Sequence, residues 1–382
     1  MLNNIGAVFL TVRDILILFM PRFMVRLFMG PGEYVFLAHP IELLPDIARK
    51  YPFADKLPKN LLKIISRNHP PIVLAKITGY QGQDGRHIAG WVVFCSMSTR
   101  MMLLHQTLAK KKILQAAKFS EKLGAKLLGL GAFVPIVTEH GAYLRGKVKM
   151  SITNGDAFSA VIAAKNVIRA SELAGLDKKT CKLAIVGAAG FVGSMSSKLL
   201  LKYFSNVLLI DKNMAGLKDI FNQLKRTHPA MNISSSDNIY DINDADIILT
   251  VTNTPGAIVR SDHLKAGSIV IDAAQPRNVS VKVPRERQDV IVIESGVAEV
   301  EGLKVNCDFG LKKDNEVYSC FAELLLLCWM KEYDEDHIDP IPEEYVLKLW
   351  EISEKAGVKV ADFRNITGFI DDSILKNLRR KA

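Results

Sequence analysis

The sequence predicts an α/β protein with a doubly wound parallel sheet, a second α/β domain and C-terminal helices. Two observations carry that expectation. Short apolar runs, "KLAIV", "NVLLID", "ADIILTVT", "GSIVIDAA" and "DVIVIES", alternate with helical or loop segments, the pattern of buried parallel strands. The first of these runs enters a glycine turn and then a helix, "VGAAGFVGSMSSKLLLKYF". With 382 residues and 49% hydrophobic content the chain can bury a sizeable core, and its length suggests two or three domains.

Residues 1–150 read as a substrate domain with an apolar N-terminal segment, "NIGAVFLTVRDILILFMPRFMVRLFMG". Arg13, Asp14, Arg22 and Arg26 interrupt this segment and Pro21 divides it, so no run reaches the roughly 18 to 20 apolar residues of a spanning helix. No small-residue cleavage site follows, so no signal peptide is expected. The segment either caps the protein's own core or lies in a membrane interface with its arginines towards headgroups. Beyond a Pro-rich stretch at about Lys56 to Pro71, "PIVLAKITGY" and "GWVVFCSM" read as strands. A long basic helix is expected from about Met102 to Leu123, ended by Gly124 as a C-cap, and "AKLLGLGAF" reads as a buried strand entering a glycine turn. Lysines 110 to 112 read as a solvated helix face rather than a docking site.

Residues 151–294 read as the nucleotide-binding domain. A helix from Phe158 to Leu173, closed by Gly175, leads to "GAAGFVG", where Gly187, Gly190 and Gly193 form G-x-x-G-x-x-G. Its strand–turn–helix setting makes this a Rossmann-like dinucleotide fingerprint. Gly187 allows the tight turn, Gly190 lets backbone N–H groups approach a pyrophosphate, and Gly193 lets helix pack on strand. Ala189, Phe191 and Val192 complete the cofactor turn. Asp211 ends the second strand, 24 residues after Gly187, where a carboxylate can accept bonds from the adenosine ribose and favours NADH. Lys212 follows and can pair with a 2′-phosphate, which keeps NADPH open. Thr252, Asn253 and Thr254, in "VTNTPG", end the fourth strand at the carboxyl edge, where cofactor contacts are expected. Asp272, in "IDAAQPRN", is as suited to holding its own loop as to touching a ligand.

Residues 295–382 read as a C-terminal helical region containing "NEVYSCFAELLLLCW". Glu323, Leu324 and Leu327 share the Cys320 side of this helix. Cys320 is open to two readings. It is a small core residue, or a nucleophile near a helix N-terminus capped by Ser319 or Asn315, where the macrodipole and free N–H groups favour a thiolate. Cys328 is displaced from it by about 80°. The cysteines at 95, 181, 307, 320 and 328 show neither metal-ligand spacing nor an even disulfide framework, so no metal site and a reducing, cytoplasmic home are expected. A net charge of +10 and a pI near 9.2 favour acidic partners such as anionic lipid, a phosphorylated cofactor, an acidic carrier or nucleic acid, without choosing among them.

From about Lys111 to Trp329 the chain resembles the long-chain fatty acyl-[acyl-carrier-protein] reductases, best known from cyanobacteria, which make fatty aldehydes. The resemblance rests on "KKILQAAKFSEKLGAKLLGLGAF", "SITNGDAFSAVIAAKNVIRASELAGLD", "VGAAGFVGS", "VIDAAQPRN" and, most specifically, "YSCFAELLLL". It implies that Cys320 is the nucleophile that takes an acyl group from an acyl carrier protein or coenzyme A thioester. It also implies that residues 1–150 bind the acyl chain, and that NADPH or NADH then reduces the acyl-enzyme to an aldehyde. Glu323 either orients or relays a proton, or serves a structural ion pair. The chain departs from the family at Thr153, Asn154 and Gly155, where T-G-N is usual. It departs again at Asp211, where the family has no acid and prefers NADPH, and before about Pro70, where little corresponds.

Two other readings stand beside this one. One is an oxidoreductase of the shikimate dehydrogenase or glutamyl-tRNA reductase type; the other is a non-catalytic NAD(P)-binding, membrane-docking protein. Nucleic acid is not an expected partner. Peripheral contact with the inner face of a membrane is expected through residues 2–29, and His140 and His263 are expected at the surface.

Overall fold

A computed structural model describes residues 4–40, 43–254, 256–274, 276–306 and 308–381. The chain forms two compact units, one from Met1–Gly155, Glu299–Ile341 and Glu351–Val358, the other from Asp156–Ala298, Pro342–Trp350 and Lys359–Ala382. The stretch after residue 294 is thus shared between them.

The first unit holds a six-stranded mixed sheet. Its strands are β1 (Tyr34–Ala38), β2 (Ile72–Gln81), β3 (His87–Phe94), β4 (Leu127–Leu130), β5 (Ser151–Thr153) and the short Lys304–Val305. They lie in the order Lys304–Val305, β2, β3, β1, β4, β5. β2 and β3 pair antiparallel, whereas β3, β1, β4 and β5 run parallel. The two-residue period of β1 sorts the faces. Val35 and Leu37 join Trp91, Val93, Leu128 and Leu130 in a core that takes Ile17, Val25 and Met29 from the N-terminal helices and Met101 and Ile113 from helices between β3 and β4. Tyr34 and Phe36 point to the other face and meet Phe321, which stacks on Phe36 at 4.5 Å and 5°. The cysteine helix and the N-terminal helices therefore cover opposite faces of one sheet.

The N-terminal segment is two helices, Asn4–Phe19 and Arg22–Met29, separated at Met20 and Pro21 as the proline demands. Asp14 is buried, pairs with Arg13 at 2.6 Å and accepts the Val73 N–H at 2.9 Å, so the segment caps part of the unit's own core. Residues 2 and 3 lie outside the described residues. No described helix is long and apolar enough to cross a membrane. The expected helix over Met102–Leu123 is instead two, Thr99–Leu104 and Gln106–Leu123, because His105 leaves the helical region at φ −135° and ψ 56°. Gly124 closes the second in the left-handed conformation, φ 91°.

In the second unit β6 (Lys182–Val186), β7 (Asn206–Ile210), β8 (Asn232–Ser236), β9 (Ile247–Thr250), β10 (Ile269–Asp272) and β11 (Ile291–Glu294) form an all-parallel sheet. The order β8, β7, β6, β9, β10, β11 is that of the Rossmann fold, with the topological switch between β6 and β9. β8, "NISSS", was no part of the sequence expectation. Its place at the sheet edge leaves Ile233 as its one buried residue, so it carries no apolar run to read.

Candidate active site

In the first unit the Ser319–Met330 helix starts directly after a three-residue strand, Glu316–Tyr318. Its N-cap is Tyr318, extended at ψ 150° and without a side-chain cap bond, so neither Ser319 nor Asn315 caps it. Ser319 is already helical, and Cys320 sits in the first turn, half-buried. The turn Thr153-Asn154-Gly155 lies against it. Gly155 has φ 75°, and a β-carbon there would overlap the Cα and Cβ of Cys320. The Gly155 N–H donates to the Thr153 hydroxyl oxygen at 3.1 Å, and that hydroxyl donates to Glu323 Oε1 at 2.6 Å.

Glu323 is completely buried and meets a hydroxyl, which fixes the turn to the helix one turn beyond Cys320. The turn is held from behind as well. The His337 N–H donates to the Ile152 carbonyl at 2.7 Å, the Asn154 N–H to the His337 carbonyl at 3.4 Å, and Asp336 takes the Ile152 N–H at 3.0 Å while pairing with Arg145 at 3.1 Å. Strand and helix thus converge on Cys320 with little freedom.

The rest of the helix is anchored. Leu324 to Leu327 are all buried, so the helix is apolar on every side, as a core helix is. At its far end the Arg86 guanidinium donates to the Cys328 carbonyl and pairs with Glu33, and the Tyr333 hydroxyl also donates to Glu33. Burial pushes the Cys328 thiol well above its ordinary value. Leu324 packs against Gly129 of β4, and what lies against the Cys320 backbone and Cβ is the turn that follows β5. Thr153 and Gly155 entered the sequence reading only as departures, and His337 not at all. An Asn-Gly pair before a helix with Asp156 in its first turn was the available signal.

The second unit carries the residues expected to hold the cofactor. Gly187 has φ 94°, with Thr252 N 3.0 Å from where its β-carbon would stand, and a β-carbon on Gly193 would overlap the Gly187 carbonyl. Gly190 is open, with 3.5 Å to the nearest atom, and the Phe191–Leu200 helix starts at Gly190 with no side-chain cap. Its first N–H groups at Phe191, Val192 and Gly193 fit a pyrophosphate. Asp211 accepts the Ala189 N–H at 2.9 Å through Oδ2 and the Asn213 N–H at 2.9 Å through Oδ1, which sets its carboxylate against the glycine turn. Lys212 is exposed. The Thr252 N–H donates to Asn278 Oδ1 at 3.1 Å and the Thr254 N–H to the Thr252 hydroxyl at 2.9 Å, leaving Asn253 and Thr254 exposed at the carboxyl edge.

Asp272 holds its own loop: it takes the Thr250 hydroxyl at 2.8 Å and the N–H groups of Asn278 and Val279 at 3.0 and 2.9 Å. Burial raises its carboxyl while those bonds oppose the rise. His263 is not at the surface. It is buried, edge-on to Tyr240 at 4.6 Å, and its Nδ1 accepts the Arg260 N–H at 3.3 Å, so the ring is neutral and burial lowers its pKa. His140, in the first unit, is half-buried and 3.6 Å from Asp339.

Residues 152–295 match the model of the shikimate/quinate 5-dehydrogenase family. Across 68% of its length the chain is 25% identical to the long-chain acyl-[acyl-carrier-protein] reductase of Synechococcus elongatus, covering 77% of that protein. Across 91% of its length it is 22% identical to the aminotransferase PigE of a Serratia species, of which it spans only 42%. The Δ1-pyrroline-2-carboxylate reductase of Thermococcus litoralis aligns over 34% of this chain and 42% of its own, at 13% identity and a TM-score of 0.29. The family model and the reductase relative support an NAD(P)-dependent oxidoreductase of Rossmann type. The glycine turn and the open start of the Phe191–Leu200 helix, with the match to a dehydrogenase family model, fit NAD(P)H as the cofactor.

Proposed function

We propose that the protein reduces long-chain fatty acyl thioesters to fatty aldehydes, with Cys320 as the acyl acceptor. The observation that carries this reading is the seating of Cys320 in the first turn of an otherwise buried helix, with the Gly155 backbone pressed against it and Glu323 bonded to Thr153. The likeness to the Synechococcus reductase, together with the "CFAE" element that opens at Cys320, supports the same assignment.

The Cys320 sulfur, as thiolate, adds to the acyl carbonyl; the carbon–sulfur bond to the acyl carrier protein or coenzyme A breaks, and the departing thiolate takes up a proton. When bound, NAD(P)H would supply the hydride that reduces the resulting enzyme thioester to a thiohemiacetal anion on Cys320. The thiohemiacetal then collapses, the aldehyde leaves and the Cys320 thiolate returns. Backbone N–H groups at the start of the helix stabilise the transient oxyanion. Thr153 and Glu323 hold the geometry, and residues 1–150 accommodate the acyl chain.

The match of residues 152–295 to the shikimate/quinate dehydrogenase model favours a second reading, hydride transfer to a small polar substrate. One experiment separates the two. Purified protein is incubated with palmitoyl-coenzyme A or palmitoyl-acyl carrier protein and NADPH or NADH, and hexadecanal is measured by mass spectrometry. Aldehyde formed in step with nucleotide oxidation supports the thioester reading; nucleotide oxidation only with a small polar ketone such as 3-dehydroshikimate overturns it.

A further inference from the structure

Three helices of the first unit turn large apolar side chains to solvent. On Arg22–Met29 these are Phe23, Leu27 and Phe28, at 72, 86 and 73% exposure; on Lys59–Asn68 they are Leu61, Ile64 and Ile65; on Thr99–Leu104, Leu104. None of these helices is loose. Val25 and Met29 fill the core, Leu62 and Ser66 are buried, and the Ser66 hydroxyl lies 3.8 Å from the Met101 sulfur, which ties the second helix to the third. The first and third both pack on Gln106–Leu123. Each helix therefore buries one apolar face and presents another, which is more than scattered surface leucines amount to.

The charges on these helices have one sign. Their exposed charged residues are Arg22, Arg26, Lys59, Lys63, Arg67 and Arg100, and none of the three helices contains an acid. Arg22 has a long pair with Glu121, 3.6 Å away on the neighbouring helix. A second copy of the chain laid on this face would set cations against cations. An anionic bilayer complements both features, taking the apolar side chains at the acyl boundary and the cations at headgroup phosphates.

We propose that this face docks the protein on an anionic lipid surface. The Arg22–Met29 and Thr99–Leu104 helices lie on the sheet face opposite the one covered by the Ser319–Met330 helix, so docking leaves the helix of Cys320 on the far face of the sheet. The surface is independent of the assigned chemistry, and its test reads binding alone.

Full-length protein is floated with vesicles of mixed phosphatidylglycerol and phosphatidylcholine, and with phosphatidylcholine alone. The expected result is co-flotation with the anionic vesicles and at least about tenfold weaker association with the neutral ones. The variant carrying Phe23→Asp, Leu27→Asp and Phe28→Asp should lose binding with an unchanged melting temperature, because all three side chains are solvated. The variant carrying Lys59→Gln, Lys63→Gln and Arg67→Gln should bind anionic vesicles on the order of a hundredfold more weakly. Absence of flotation with either vesicle, or binding untouched by both variants, overturns the proposal. So does a dimer in solution that the aspartate variant dissociates.

Discussion

The backbone of Gly155 lies against Cys320 so closely that a β-carbon at 155 would overlap the Cα and Cβ of the cysteine and come within 3.0 Å of its carbonyl oxygen. With φ at 75°, the position also disfavours any L side chain. Gly155→Ala should therefore displace the first turn of the Ser319–Met330 helix. Aldehyde formation is expected to fall at least about tenfold and stability by about 1–3 kcal/mol, while nucleotide binding by the second unit persists. Wild-type turnover in this variant would show that the turn can give way without consequence for Cys320.

Cys320→Ser should abolish the acyl-enzyme. Incubation with palmitoyl-coenzyme A in the absence of reductant is expected to leave an acyl mass on the peptide containing Cys320 in the wild type and none in the variant. Cys328→Ala should retain turnover, since its thiol is buried and held protonated by that burial. An adduct on Cys328 instead would move the nucleophile.

Thr153→Val keeps the shape of β5 and removes the hydroxyl that Glu323 accepts from and that the Gly155 N–H donates to. Leaving a buried carboxylate short of a donor costs about 1–3 kcal/mol. Thr153→Ser should restore most of the loss in a denaturant titration. If Val and Ser variants are equally stable, the bond contributes nothing.

At Asp211 the carboxylate sits where a ribose would meet the glycine turn, bonded to the N–H groups of Ala189 and Asn213. A 2′-phosphate there meets a like charge, at a cost on the order of a hundredfold in affinity. Wild type should bind NADH more tightly than NADPH, and Asp211→Ala should shift that ratio towards NADPH. Fluorescence titration of both nucleotides decides it: a wild type that prefers NADPH, with a ratio the substitution leaves unchanged, removes Asp211 from cofactor selection.

His39 gives the first unit a pH dependence. Its Nε2 accepts the Phe133 N–H and its Nδ1 donates to the Pro40 carbonyl, both at 2.9 Å, so the folded ring is neutral. Burial lowers its pKa, opposed by the Pro40 bond and by Asp46. The unfolded histidine, near 6.5, takes up a proton first as pH falls, so stability is complete above about 6.5 and declines below it. Scanning calorimetry at about pH 7.5 and 5.5 should show the first unit melting lower at the acid value, with a smaller difference in His39→Gln. An equal difference in both proteins would assign the effect elsewhere.

Much of the second unit was legible in the sequence because its information is local. Apolar runs four or five residues long, a glycine turn and the helix after it specify β6, β7, β9, β10 and β11 without reference to anything distant. β8 escaped because a sheet-edge strand buries almost nothing and is defined by pairing with β7. The position of Cys320 at a helix start was legible too, although the cap was not. Tyr318 caps by backbone conformation alone, and that leaves no mark on residue type.

What the sequence determined by itself was the doubly wound sheet, its glycine turn, the acid at the end of β7 and a cysteine opening an apolar helix. What only the tertiary structure decided was which residues meet that cysteine. Thr153 and Gly155 are more than 160 residues away from Glu323 and Cys320 along the chain, and β5 carries them there by pairing with β4. Likewise only the fold sorted the apolar N-terminal helices to one sheet face and the Cys320 helix to the other. Residue type records burial, but not which side of a sheet a chain crosses to; that follows from strand pairing and close packing between segments far apart in sequence.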